Sequence, residues 1–237
     1  MCWRMTLSRR CAPVASLLED SLADAINEAR ACRVCEAVLP LGPRPVFQVS
    51  ETARVLIISQ APGTKVHLTG LPFNDASGDR LRGWLNMGRD LFYDTARIAL
   101  VPTGLCYPGR LANGGDAPPR PECAPRWLDR FIRLLPEVRL TLLVGSYALR
   151  NRLGPGAMTD RVSRWRQLGP AVIPLPHPSW RTGAWERRNP WFKLELLPEL
   201  RTAVAGALER ADEPEMVVEL RGIEPLTSSL RTRRSPN

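Results

Sequence analysis

Four short, continuous apolar runs constrain this chain more than anything else in it: Ala53-Arg-Val-Leu-Ile-Ile-Ser59, Ile98-Ala-Leu-Val101, Leu140-Thr-Leu-Leu-Val144 and Ala171-Val-Ile-Pro-Leu175. A run this short without polar alternation reads as a strand covered on both faces. Strands of that kind build parallel sheets, and each must be joined to the next by a crossover. Helical patterns lie between the runs at residues 79–87, 121–135 and 146–153, with a closing helix at 189–208. An earlier helix at 13–31 carries Val14, Leu17, Leu18, Leu22, Ala25, Ile26 and Ala29 on one stripe. The expectation is an α/β fold, a three-layer αβα sandwich with a central, mainly parallel sheet of about four strands.

The 237 residues suit a single domain of this kind, placed at 13–212. Residues 1–12, with Cys2 and Cys11, read as a disordered leader. Residues 213–237 have neither helical nor strand period and read as an unstructured tail, similar to a reading frame that has run on into a neighbouring RNA gene. No apolar run approaches the ~18 residues of a membrane span. The N-terminus lacks the apolar core and cleavage site of a secretory signal, so the expected compartment is the cytoplasm; the expected state is a monomer.

Thirty-three basic residues face 24 acidic ones, for a net charge of +9, and Lys65 and Lys193 are the only lysines. Such a surplus suits a polyanionic partner. Coding bias towards arginine, spread over a solvated surface, gives the same count.

In an open parallel sheet the ligand crevice lies beyond the carboxyl ends of the strands. That rule selects Gln60-Ala-Pro-Gly63, residues 102–107, Gly145-Ser146 and Pro176-His-Pro-Ser179. His177, one of two histidines, is held between prolines that stop its loop from continuing as strand or helix. Downstream of Gly63, Phe73 is either a stacking platform for a planar ligand or a core anchor, and Gly78-Asp79 is read as opening a helix with amides free for an anion. Cys32 and Cys35 form a CxxC; Cys106 and Cys123 bracket a long loop broken by glycines and prolines. Loops of that length are uncommon unless pinned, and four thiolates suit either a zinc ion or an iron–sulfur cluster.

The combination of Gln-Ala-Pro-Gly after the first strand, Gly-Leu-Pro-Phe and Ser-Gly-Asp-Arg-Leu beyond it, and a late His-Pro-Ser resembles the uracil-DNA glycosylase superfamily. The cysteine layout is similar to its iron–sulfur branches in bacteria and archaea, and the likeness spans roughly residues 32–208. Members flip a damaged base out of DNA and cleave its N-glycosidic bond. The resemblance implies a structural [4Fe-4S] cluster on Cys32, Cys35, Cys106 and Cys123, His177 as donor to the departing base, and Phe73 stacking on it. It places Ala61, Gly63 and Thr103 around the base, and Gln60 or Asp75 as the group that positions water or stabilises the sugar cation. It implies DNA contacts for Ser179, Trp180, Arg181 and Arg187, with Arg188 and Trp185 beside them.

Two departures qualify the likeness. One iron–sulfur branch carries Glu where Gln60 stands, and several branches carry an Asn just past the second strand where this chain reads Val101-Pro-Thr-Gly-Leu-Cys106. Three readings therefore stand: a monofunctional glycosylase acting on uracil or another deaminated base, a non-catalytic DNA-binding protein on the same scaffold, and a Cys₄ zinc protein acting on a small molecule.

Overall fold

The computed structural model of the chain describes residues 20–112 and 114–209. The expected leader and tail, Cys2, Cys11 and the first part of the 13–31 helix lie outside the described residues. Helix α1 (Leu22–Arg30) precedes the sheet. Between β1 (Val55–Ser59) and β2 (Ile98–Pro102) come α2 (Thr64–Thr69), α3 (Ala76–Leu85) and α4 (Arg89–Phe92). Helix α5 (Asp129–Arg133), entered through a π turn at Ala124–Leu128, leads to β3 (Leu140–Val144). Helices α6 (Ser146–Leu153) and α7 (Met158–Ser163) lead to β4 (Val172–Leu175), and α8 (Thr182–Arg188) and α9 (Leu197–Leu208) follow.

The four strands form one parallel sheet in the order β2-β1-β3-β4. Central β1 sets the register: Ile57 pairs with Leu100 on one side and Leu142 on the other, and its Ile57 and Ile58 side chains are fully buried. The chain thus winds outward from β1 to β2, then back across to β3 and β4. Right-handed crossovers put the first set of helices on one face and the later sets on the other. The terminal helices, which belong to no crossover, divide between the two layers: α9 packs on α3, and α1 packs on α5. Phe92, Phe131 and Phe192 are fully buried among these layers, each contributing roughly 1.5–3 kcal/mol of transfer free energy.

Strand positions match the apolar runs, but several helix boundaries move for identifiable reasons. Helix α1 begins at Leu22 because the Ser21 hydroxyl accepts from the Asp24 amide at 3.1 Å. Helix α3 begins at Ala76 rather than 79, because Asp75 supplies its cap. The 121–135 and 189–208 patterns each start with a wide turn, the second at Phe192–Leu196, before α-helix proper. Helices α2, α4, α7 and α8 were not expected; they span 4 to 7 residues, too few for a period to show. Among the described residues no helix is long and apolar enough to cross a membrane.

Candidate active site

The winding reverses at β1, so the crevice falls outside the carboxyl ends of β1 and β3. A cleft of about 590 Å³, open mouth included, lies there. It is lined by Gln60, Ala61 and Gly63 from the loop after β1, by Phe73 and Asp75 ahead of α3, by His177 after β4, and by Asp116. Residues separated by more than a hundred positions are gathered because three parallel strands end on one side.

His177 is held from two directions. Its carbonyl accepts from the Ser179 amide at 2.8 Å and from the Thr182 hydroxyl, which fixes the loop between β4 and α8. Gly145, in a left-handed conformation at the end of β3 (φ +86°), lies so close that a Cβ there would sit 3.3 Å from His177 Cδ2. Burial pushes the imidazole below its ordinary pKa, and the facing Asp75 and Asp116 carboxylates pull the other way without overcoming it. The ring is therefore neutral near pH 7 and offers an N–H that donates without first losing charge.

Phe73 adopts a left-handed φ of 54° that non-glycine residues rarely take. Its carbonyl approaches α3 so closely that a Cβ on Gly78 would overlap it at 1.7 Å, so glycine is required there. Asp75 Oδ1 accepts from the Gly78 amide at 2.9 Å, closing the same turn. The Phe73 ring meets Phe92 edge-on at 6.0 Å, while its position on the cleft wall leaves it available to a ligand. It is therefore both anchor and wall. Sequence reasoning missed the clamp beneath it: buried Arg82 pairs with Asp79, donates to the Phe73 carbonyl and Tyr93 hydroxyl, and lies over the Phe92 ring at 5.2 Å. The amides expected to be free for an anion at Gly78 and Asp79 are instead taken by Asp75, through its carboxylate and its carbonyl.

Two other expectations change. Thr103 is buried, donates to the Gln60 carbonyl at 2.7 Å, and does not line the cleft, so its role is to tie the loops after β1 and β2 together. Trp185 is buried and donates to the Thr159 hydroxyl at 2.8 Å, which makes it core rather than a DNA wedge. Trp180, by contrast, is 80% exposed with the Arg181 guanidinium over its ring at 5.3 Å, and Arg187 and Arg188 are exposed on α8. Ser179 is half-buried, and its amide serves the His177 loop. Buried Glu186 joins α8 to α3 through Arg80, and Arg80 and Lys193 hold its carboxyl below the usual range even though burial acts upward.

Cys32, Cys35, Cys106 and Cys123 line a second cavity of about 370 Å³, with Leu39, Leu105 and Trp127 as apolar wall. Burial pushes the Cys106 thiol to about 11 and Cys123 to about 12, with neighbouring cysteines adding to both shifts. Such thiols need a bound cation to ionise at neutral pH. Among the described residues no three His, Cys, Asp or Glu side chains converge on a point that would hold one ion.

A cleft residue that sequence reasoning also overlooked is Asp116. It lies in the Gly- and Pro-rich loop between Cys106 and Cys123, where no period marks it, and it reaches the cleft because that loop folds back on itself through an antiparallel bridge between Arg110 and Asp116. Residues 46–201 match the family model for the uracil DNA glycosylase superfamily.

Proposed function

Because the chain belongs to the uracil DNA glycosylase superfamily, we propose that it is a monofunctional DNA glycosylase. On this reading it hydrolyses the N-glycosidic bond of uracil or another deaminated base flipped out of DNA. The observation that carries this reading is the convergence of His177, Phe73, Asp75 and Gln60 on one cleft at the sheet's carboxyl edge.

The chemistry follows from charge. Breaking the bond leaves a cationic sugar and an anionic base, so groups aimed at those charges act mainly on the transition state. The neutral His177 N–H donates to the departing base oxygen. Phe73 stacks on the flipped base, and the rigid turn at Gly78 keeps the ring in place before substrate arrives. The Asp75 carboxylate stabilises the sugar cation, while Gln60 orients water without acting as a strong base. Exposed Trp180, Arg181, Arg187 and Arg188 form the edge that contacts the DNA backbone and groove.

Cys32, Cys35, Cys106 and Cys123 would hold a [4Fe-4S] cluster, a reading supported by the cavity all four half-buried cysteines line. When bound it supplies structure rather than catalysis, pinning the 106–123 loop to the segment after α1.

The test is release of base from labelled oligonucleotides carrying uracil, hypoxanthine or xanthine, single- and double-stranded. His177→Ala is expected to lower excision about a hundredfold or more, the loss typical of one positioned transition-state donor, while DNA affinity stays near the wild-type value. Unchanged turnover would remove His177 from the mechanism. Tight binding without excision by the wild type would favour a non-catalytic reader of damaged bases.

A further inference from the structure

The cleft contains a carboxylate that the mechanism above does not use. Asp116 enters from the loop between Cys106 and Cys123, and its Oδ2 lies 3.7 Å from where a Cβ on Gly63 would stand. It thus abuts the segment after β1 that carries Gln60, the residue facing the attacking water on the glycosylase reading. The loop is set by two backbone hydrogen bonds, Leu111 to Gly115 at 2.7 Å and Ala117 to Gly109 at 2.9 Å, on either side of the Arg110–Asp116 bridge.

The three polar groups on this side of the cleft are not equivalent. Gln60 is neutral and cannot take a proton. Asp75 spends Oδ1 on the Gly78 amide at 2.9 Å, which holds that oxygen in the cap of α3. The Asp116 carboxylate has neither a hydrogen bond nor an ion pair among the described residues, in a chain with 33 basic residues. Both of its oxygens are free, and the residue is exposed towards solvent. A proton acceptor needs those properties: lone pairs not already committed, and a route by which the proton can leave.

Resting on the glycosylase reading, we propose that Asp116 is the general base of the reaction. The C1′–N bond breaks with its electron pair going to the base, and the water oxygen bonds to C1′. The water's proton passes to the Asp116 carboxylate and from there to bulk solvent. The released base anion, hydrogen-bonded by His177, takes its proton from solvent on departure, so the products are free base and an abasic site. The titratable groups lining the cleft are Asp75, Asp116 and His177, and His177, lowered by burial, protonates on the acid side as well, so the comparison of variants decides which group carries the acid limb of the rate profile.

The experiment compares wild type, Asp116→Asn and Asp75→Asn in single-turnover excision of uracil, hypoxanthine and xanthine across pH. Affinity for an abasic-site oligonucleotide and melting temperature are measured alongside. Asp116→Asn preserves shape at an exposed position, so its melting temperature is expected to be unchanged. Its excision rate is expected to fall about a hundredfold or more, with affinity retained and the acid limb flattened. Asp75→Asn is expected to retain that limb. An active wild type with Asp116→Asn equally fast, or with rate and affinity falling together, would overturn the assignment and leave the glycosylase reading intact. A wild type that releases no base from any substrate would overturn both.

Discussion

At the residue scale, the site depends on protonation states that burial sets. His177 has a folded pKa below its ordinary 6.5, chiefly through desolvation, and buried His67 on α2 shifts the same way. The unfolded chain therefore binds more protons than the folded one just below pH 6.5, and stability must rise with pH through that window. The melting temperature is expected to fall between about pH 7.5 and about pH 5.5, and His177→Gln is expected to reduce the fall. Equal pH dependence in both proteins would show that the His177 ring is not held neutral by the fold. His177 was legible in the sequence because a histidine between two prolines after a buried strand has few structural explanations. Asp116 was not, since nothing along the chain marks one aspartate in a Gly-rich loop until the loop's return path is known. Trp185 was expected beside the DNA contacts because a Trp near basic residues reads as a stack, whereas packing against Phe192 buries it; Arg82, buried over the Phe92 ring, carries no signal in the sequence that sets it apart from the other arginines.

At the element scale, the strands were legible and the short helices were not. A continuous run such as Leu140–Val144 has one physical explanation, coverage on both faces, and so its position follows directly. Helix α4, of 4 residues, and α8, of 7, have no side-chain cap and are held by buried residues, Phe92 in the first and Trp185 and Glu186 in the second, whose packing no local pattern encodes. The loop between Cys106 and Cys123 is the element on which two proposals meet, because the cysteines that would hold the cluster also bracket the segment that delivers Asp116. Cys106→Ala is expected to lose the visible absorbance of the cluster. It is also expected to lower the melting temperature by about 2–4 °C for each kcal/mol lost. A mutant as coloured and as stable as the wild type would show that Cys106 is not a ligand.

At the scale of the whole molecule, the fold reads as a scaffold that brings distant loops to one edge. Reversal of winding at β1 opens the crevice, the ends of β1 and β4 bring Gln60 and His177 to it, Thr103 after β2 braces the Gln60 loop from behind, and the first crossover adds Phe73 and Asp75. The exposed Trp180 and arginines of the α8 region lie in the chain segment that follows His177, so backbone contact and base chemistry are expected to be coupled through one loop. The most direct test of this account is product analysis of a labelled uracil-containing oligonucleotide after incubation with the purified protein. The account predicts free base together with an intact strand that breaks only on alkali treatment, the signature of glycosidic hydrolysis without strand cleavage. A bound but chemically unchanged oligonucleotide would contradict it.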